Sequence, residues 1–175
     1  MKHLIETSRF YLREKQLSDA KDMYLLNAEP EVLKYTGDFA FKNEAEALAF
    51  IKGYDHFQKH GFGRWVIVDK NSNEYLGWCG LKRHANGMVD LGYRIKKEHW
   101  GKGIATEAAT ACLDYGFNSL TLETIVGRSA KANIASIRIL EKIGMKFWKK
   151  DTCNGIADAV WYKLNKKTFL KRTVG

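Results

Sequence analysis

Tyr93-Arg94-Ile95-Lys96-Lys97-Glu98-His99-Trp100-Gly101-Lys102-Gly103-Ile104-Ala105-Thr106-Glu107-Ala108 is the stretch from which the rest of the chain is read. A strand ends, a turn with two glycines follows, and an amphipathic helix opens. The first turn of a helix carries backbone N–H groups without intrahelical acceptors and a partial positive charge. Gly101 and Gly103 let the backbone approach an anion without Cβ interference, and Lys102 adds charge. Such a loop suits a pyrophosphate, although Gly-x-Gly by itself also marks a plain strand-to-helix turn. The spacing does not fit a P-loop, which needs Gly-x-x-x-x-Gly-Lys followed by Ser or Thr. It also leaves the dinucleotide pattern Gly-x-Gly-x-x-Gly incomplete, because Thr106 stands where the third glycine belongs.

Upstream, Arg64 to Asp69, Tyr75 to His84 and Met88 to Ile95 read as three strands. The turn signals Lys70-Asn71-Ser72-Asn73 and Asn86-Gly87 part them into an antiparallel meander. Before them the chain predicts a strand near Ile5 to Arg13 and a short helix from Ser18-Asp19 to about Leu26. A loop over Asn27 to Lys42 and a helix from about Glu44 to His60 follow. Ala47, Leu48, Ile51, Tyr54 and Phe57 recur there at helical spacing. Downstream, a helix runs from about Gly103 to Asn118, with Ile104, Ala108, Cys112 and Tyr115 on one stripe. Then come a strand at Thr124 to Arg128, a helix at about Ile134 to Ile143 closed by Gly144, and strands near Lys146 to Thr152 and Ala159 to Leu164. The order β-α-α-β-β-β-α-β-α-β-β predicts an α/β (α+β) fold. Its centre is a mixed, mostly antiparallel sheet of about seven strands with helices on both faces.

The length of 175 residues fits one domain better than two. We expect that domain over residues 1–165 and a frayed basic tail over residues 166–175. Cys79, Cys112 and Cys153 form no paired motif and are odd in number, which argues against a disulfide framework. A net charge of +9 draws polyanions: nucleic acid, a membrane surface or a phosphate-rich cofactor. The basic residues are spread along the chain rather than blocked, which also serves plain solubility. No apolar run approaches the ~18 residues of a membrane span, and the first residues lack a signal peptide's apolar core. A cytoplasmic location without membrane association is expected. His56 and His60 share a helical face, but Gln58 and Lys59 do not complete a His-Glu-x-x-His motif, so no metal is expected. The aromatic run of Phe39, Phe41, Phe57, Phe62 and Trp65 reads as core.

The segment Trp100-Gly101-Lys102-Gly103-Ile104-Ala105 resembles the acyl-coenzyme A loop of the GNAT superfamily of N-acetyltransferases, Gln/Arg-x-x-Gly-x-Gly/Ala. Trp100 replaces the leading Gln or Arg, as in the branch that includes the ribosomal-protein N-terminal acetyltransferases. Glu6 to Arg13, Leu91 to Ile95, and Asn133 through Met145 resemble that branch too. The likeness covers about residues 4 to 164. It implies acetyl-coenzyme A as co-substrate. The pyrophosphate would take backbone N–H groups from Gly101, Lys102, Gly103, Ile104, Ala105 and Thr106. The pantetheine arm would pair with the strand end at Tyr93, Arg94 and Ile95. Asn133 would bond that arm, Ser136 would lie near the thiol, and Lys142 would meet the nucleotide end. On local grounds Asn133 is equally a helix cap and Lys142 a solvated cation. The loop bordering the acceptor would bring Tyr35, Asp38 and Phe39 to the substrate.

The reaction implied is direct attack of a neutral amine on a thioester, with a donor needed for the developing oxyanion. Many members protonate the leaving thiolate from a Tyr in Leu-Tyr-Glu-Lys. Here Ile139-Leu140-Glu141-Lys142 puts Leu140 in that place, so Ser136 becomes the candidate acid. Asp90 is the candidate base, with Gly92 and Arg94 on its face of the strand; His84 is another, and a hairpin-edge acid is the plainer reading of Asp90. The acceptor expected is a peptide or protein N terminus or a small amine, and the enzyme a monomer or homodimer. A catalytically silent acyl-coenzyme A-binding module and, less well supported, a nucleic-acid-binding domain remain as alternatives. No RNA-binding aromatic motif or zinc pattern supports the last.

Overall fold

A computed structural model describes residues 4–173. Its strands are β1 (Ile5–Glu6), β2 (Phe10–Arg13), β3 (Arg64–Asp69), β4 (Tyr75–Arg83), β5 (Val89–Ile95), β6 (Thr124–Ala130), β7 (Lys146–Cys153) and β8 (Ile156–Asn165). They form one sheet in the order β1-β2-β3-β4-β5-β6-β8-β7. Only β5 and β6 run parallel; every other neighbouring pair is antiparallel. The helices are α1 (Ala20–Ala28), α2 (Pro30–Leu33), α3 (Glu44–Lys52), α4 (His56–His60), α5 (Ile104–Asp114), α6 (Ile134–Lys142) and α7 (Lys166–Thr173).

The side-chain alternation of β3 shows how the layers divide. Trp65 and Ile67 join the large core that takes in Ala108, Cys112 and Leu113 of α5. Val66 and Val68 pack instead with Leu26 of α1 and Val32 of α2. A strand covered on both faces has no polar side to show, which is why Trp65–Val68 is a continuous apolar run. Helix α5 presents Ile104, Ala105, Ala108, Ala109, Cys112 and Leu113 to the sheet. Its small residues bring it close enough for Cys112 Sγ to lie 3.7 Å from Cys79 Sγ on β4. Helix α5 then runs into a single π-helical turn, Tyr115–Ser119.

The sheet has eight strands rather than seven, because Ile5 to Arg13 folds back on itself. Thr7 N–H donates to Phe10 O at 2.9 Å, and β1 pairs with β2. The helix expected over Glu44 to His60 breaks after Lys52, although its apolar spacing continues across the break. The loop expected over Asn27 to Lys42 holds the short helix α2, opened by Pro30 at its first turn. Strands β7 and β8 close on the two-residue turn Asn154-Gly155, whose φ values of 37° and 80° are those a tight hairpin needs. Within residues 166–175 the expected frayed tail is replaced by α7 as far as Thr173. Phe169 is 6% exposed with its ring 5.0 Å from that of Phe117, and Arg172 donates to Ile143 O at 3.1 Å. Among the described residues no helix is long and apolar enough to cross a membrane.

The burial of Phe169 makes a prediction. Phe169→Ala should lower stability by about 3 kcal/mol, read by urea unfolding at fixed protein concentration. An unchanged midpoint would mean that α7 is dispensable to the core.

Candidate active site

The parallel pairing of β5 with β6 consists of two registered pairs, Asp90 with Val126 and Leu91 with Gly127. Beyond them the strands part. Gly92–Ile95 still pair with β4, and Arg128–Ala130 still pair with β8, but the two sets do not pair with each other. The sheet therefore has an open edge in its middle, bordered by strand backbone of which Ile95 O is taken by a side chain and the rest is available to an extended ligand.

The glycine turn lies just after β5. Gly101 and Gly103 both take left-handed φ values, 74° and 73°, and Gly103 is the N-cap of α5 with no side-chain cap. Trp100 pins the turn to the strand by donating Nε1–H to Ile95 O at 2.9 Å. Arg9 braces it from the other side, reaching Lys102 O at 2.9 Å and Glu107 Oε2 at 2.7 Å. Glu107, the acid of the first turn, is thus consumed by Arg9 and by Ser8 and does not cap the helix. Burial pushes the Glu107 pKa up, but the hydrogen bonds from Thr7, Arg9 and Ser8 together outweigh it and hold it down at about 2. The first amide of this segment with a backbone acceptor is that of Glu107, to Gly103 O at 3.1 Å. Among the described residues the N–H groups from Gly101 to Thr106 have no acceptor, so the turn is a cradle of free donors at a positive helix end.

Helix α6 begins on the far side of the opening. Asn133 Oδ1 accepts from Ser136 N at 3.2 Å, so Asn133 caps the helix. Its Nδ2 donors have no partner among the described residues. Ser136 Oγ lies 3.1 Å from the Tyr93 hydroxyl, which donates to Ser136 O at 3.0 Å. Burial pushes the Tyr93 phenol well above its ordinary pKa, so it is neutral at physiological pH. The sequence pointed to Tyr93 for its backbone; its side chain is the unforeseen contribution. Lys142 is exposed in the last turn of α6, roughly 9 Å along the axis from Ser136. Leu140, in place of the family tyrosine, is buried against Gly127.

On the opposite face of β5, Asp90 is buried rather than a hairpin-edge acid. Its Oδ2 accepts from Arg64 Nη2 at 2.9 Å, and its Oδ1 meets His84 Nε2 at 2.6 Å. Arg128 Nη2 lies 3.3 Å from Oδ2. Burial pushes the Asp90 pKa up, but Arg64, the His84 hydrogen bond and Arg128 outweigh it and hold the carboxyl well below the usual carboxylate range. Gly92 makes this possible: a Cβ there would sit 2.7 Å from the Arg64 guanidinium. A carboxylate so stabilised is a weak base. Arg94 spans from Asn27 Oδ1 at 2.7 Å to Asp38 Oδ2 at 2.6 Å. The Asp38 loop leans on the β7–β8 turn, with Gly37 packed against Asn154 O. Phe39 is 93% exposed, and Lys34 Nζ lies 5.3 Å from the Tyr35 ring centre.

The structure thus brings Tyr93 and Ser136 into contact and joins Arg94 to Asp38, while Asp90 faces away from Ser136 across the sheet. Arg64 and Arg128 were not singled out in the sequence; a charged residue inside an otherwise buried strand was the available signal. Both ring nitrogens of His56 serve the backbone, of Phe62 and Arg83, which leaves neither for a metal. Glu74, Glu98 and His99 do gather ligand atoms within 4.8 Å of one another, but Lys102 Nζ stands 3.3 Å from His99 Nδ1.

A family model described as an acetyltransferase (GNAT) domain matches residues 9–146. The chain is 33% identical over 143 residues to the "Uncharacterized N-acetyltransferase p20" of Bacillus licheniformis, covering 80% of each. Among solved structures it resembles a GNAT-family acetyltransferase from Bacillus anthracis, with TM-score 0.80, 24% identity and coverage of 94% and 99% of the two chains. It likewise resembles the ribosomal-protein-S5-alanine acetyltransferase from Vibrio fischeri, with TM-score 0.79, 19% identity and coverage of 95% and 98%. The spermidine N-acetyltransferase from Vibrio cholerae, in complex with CoA and spermine, gives TM-score 0.79, 20% identity and coverage of 94% and 99%. At these identities the three structures speak for the fold.

The Asp90 cluster makes the second prediction. Asp90→Asn leaves two guanidiniums without their counter-charge and should cost about 3 kcal/mol at neutral pH. Because the folded-state pKa is depressed, this contribution is full above the unfolded value near ~3.9 and is lost as pH falls below it. Urea unfolding of both proteins should show the gap closing below about pH 4. A gap independent of pH would contradict the ionised, paired state.

Proposed function

This chain belongs to the acetyltransferase (GNAT) domain family, and on that premise we propose that it moves an acetyl group from acetyl-coenzyme A to a primary amine. The observation that carries the reading is a coincidence of geometry. A cradle of free amides at Gly101–Thr106, an open strand edge at Gly92–Ile95 and the Tyr93–Ser136 pair border one opening in the sheet. The residues present fit the donor: free N–H groups for the pyrophosphate, a strand edge for the extended arm, a hydroxyl for the thiol end.

The coenzyme supplies an acyl group activated as a thioester. The amides from Gly101 to Thr106, with Lys102, hold its phosphates. The edge of Tyr93, Arg94 and Ile95 aligns the arm as an added strand, and Asn133 Nδ2 donates to it. A backbone N–H of the same edge serves the carbonyl oxygen as negative charge develops. Ser136 Oγ gives its proton to the departing sulfur and takes one back from the ammonium formed as the amine attacks, so that one proton passes from nitrogen to sulfur. Tyr93, kept neutral, fixes that hydroxyl from within the core. Asp90 acts as a positioning residue that holds Arg64, His84 and Arg128 in place; its suppressed proton affinity makes it no base for an amine, which attacks in its neutral form. Lys142 lies on the path of the nucleotide end. Tyr35, Asp38 and Phe39 form the acceptor border, closed by the contact of their loop with the β7–β8 turn. Within the family, the Trp100 loop and the segments from Glu6 to Arg13 and Asn133 to Met145 support a place beside the ribosomal-protein N-terminal acetyltransferases.

Gly103→Val tests the donor site. The variant has room, since the nearest atom to a Cβ there is Arg9 Nη2 at 3.5 Å. The positive φ disfavours a branched side chain, so the cradle distorts while the fold persists. Calorimetry should show coenzyme A binding lost with the circular dichroism spectrum retained; unchanged affinity sinks the site. Ser136→Ala should lower kcat about 100-fold in a thiol-release assay with coenzyme affinity kept. Coenzyme binding without thiol release on any amine would instead favour a non-catalytic module.

A further inference from the structure

The buried cluster on the acceptor face of β5 is not electrically closed. Asp90 offers two oxygens, and Arg64 and His84 take one each at 2.9 Å and 2.6 Å. His84 Nε2 must carry a hydrogen to bond an ionised carboxylate, so it cannot also accept one. Arg128 Nη2, 3.2 Å from that nitrogen and 3.3 Å from Oδ2, is therefore left with a crowded neighbour and a borrowed one. Among the described residues its other support is the Trp161 ring, 5.1 Å away. Two guanidiniums, each 14% exposed, share one carboxylate, which leaves one positive charge in excess in a largely desolvated place.

Arg128 also occupies a particular register. It is the first residue of β6 after the last β5–β6 pair, Leu91 with Gly127, and so stands where the sheet opens, on the face turned away from α5. Two carboxylates near it are already paired, Asp38 with Arg94 at 2.6 Å and Asp151 with Lys149 at 2.6 Å. Lys149 and Lys163 add further cations over the Trp148 ring. A polycationic acceptor would meet an incompletely compensated guanidinium here. A planar guanidinium with open donors is matched by a carboxylate, which it can bind with two parallel hydrogen bonds.

We infer that the acceptor is an amine carrying its own carboxylate, which Arg128 binds beside the opening between β5 and β6. The inference rests on the acetyl-transfer reading and names its substrate class. Two sources share this chemistry, the α-carboxylate of a free amino acid and the acidic side chain of a peptide near its N terminus.

The test is a thiol-release panel with wild-type protein and acetyl-coenzyme A. Free amino acids are compared with their amides, N-terminal Ala-Asp peptide amides with Ala-Asn peptide amides, and all with spermidine. One acid arm should exceed its neutral partner at least about tenfold in kcat/KM, and which arm does so identifies the source. Arg128→Gln should lower that ratio about 10- to 100-fold, the effect of losing charge-assisted hydrogen bonds. Arg128→Lys, which keeps the charge but not the fork, should restore it in part. Equal turnover of acids and amides, spermidine as the best acceptor, or a ratio unmoved by Arg128→Gln overturns the inference. Calorimetry supplies a readout free of turnover: with coenzyme A saturating, N-acetylated products with a carboxylate should bind wild type and weaken at least tenfold with Arg128→Gln. Coenzyme bound but no carboxylate ligand detected sinks this inference alone, whereas no coenzyme binding sinks the acetyl-transfer reading.

Discussion

Two strands that run parallel and share only two registered pairs cannot close a sheet between them. Where β5 leaves β6 after Leu91 and Gly127, backbone donors and acceptors that a continuous sheet would satisfy internally are left for something else. The surrounding architecture keeps that separation open. Helix α5 packs its small residues onto β4 and β5, while α6 packs onto β6 through Leu140 and Gly127. Each strand therefore belongs to its own half of the core. The helix starts at Gly103 and Asn133 both stand near the gap, one with uncapped amides and one with a serine in its first turn.

The two faces of β5 divide the chemistry. Tyr93 points into the core shared with α5 and reaches Ser136, while Asp90 and Arg94 point the other way. An odd-even alternation along one strand thus separates the Tyr93–Ser136 pair from the Asp90 cluster and the Arg94–Asp38 pair. The absence of a side chain at Gly92 belongs to the same design, because it admits the Arg64 guanidinium across the strand to Asp90. Charges this buried are stabilised only when each finds a partner. That rule is met for Arg64 and Asp90, and incompletely met for Arg128.

Local chemistry was legible in the sequence and non-local chemistry was not. The turn at Gly101 and Gly103 was readable because a glycine pair before a helical stripe specifies its own backbone. Asn133 was readable as a cap for the same reason, and Leu140 as the loss of a family hydroxyl. The strands of the meander fell within a residue or two of their expected ends because Asn86-Gly87 and the Lys70 to Asn73 turn fix them. By contrast, the break between α3 and α4 is invisible to periodicity, since Tyr54 and Phe57 continue the apolar spacing across it. Helix α7 reads as a basic tail until Phe169 is seen against Phe117, a contact between residues far apart in the chain. Arg64 and Arg128 are ordinary strand arginines until Asp90 is placed between them. The separation of β5 from β6 has no local signature at all.

A sheet whose central strands pair only at Asp90–Val126 and Leu91–Gly127 also has an internal edge beyond those pairs. Edge strands of that kind invite further strands, from the chain's own neighbours or from another copy. An extended ligand lying in the gap would supply the hydrogen bonds the sheet lacks, and would stabilise the folded form with the logarithm of its concentration once above its dissociation constant. Any occupant that binds the folded chain and not the unfolded one would thereby make the stability of this protein follow that occupant's concentration.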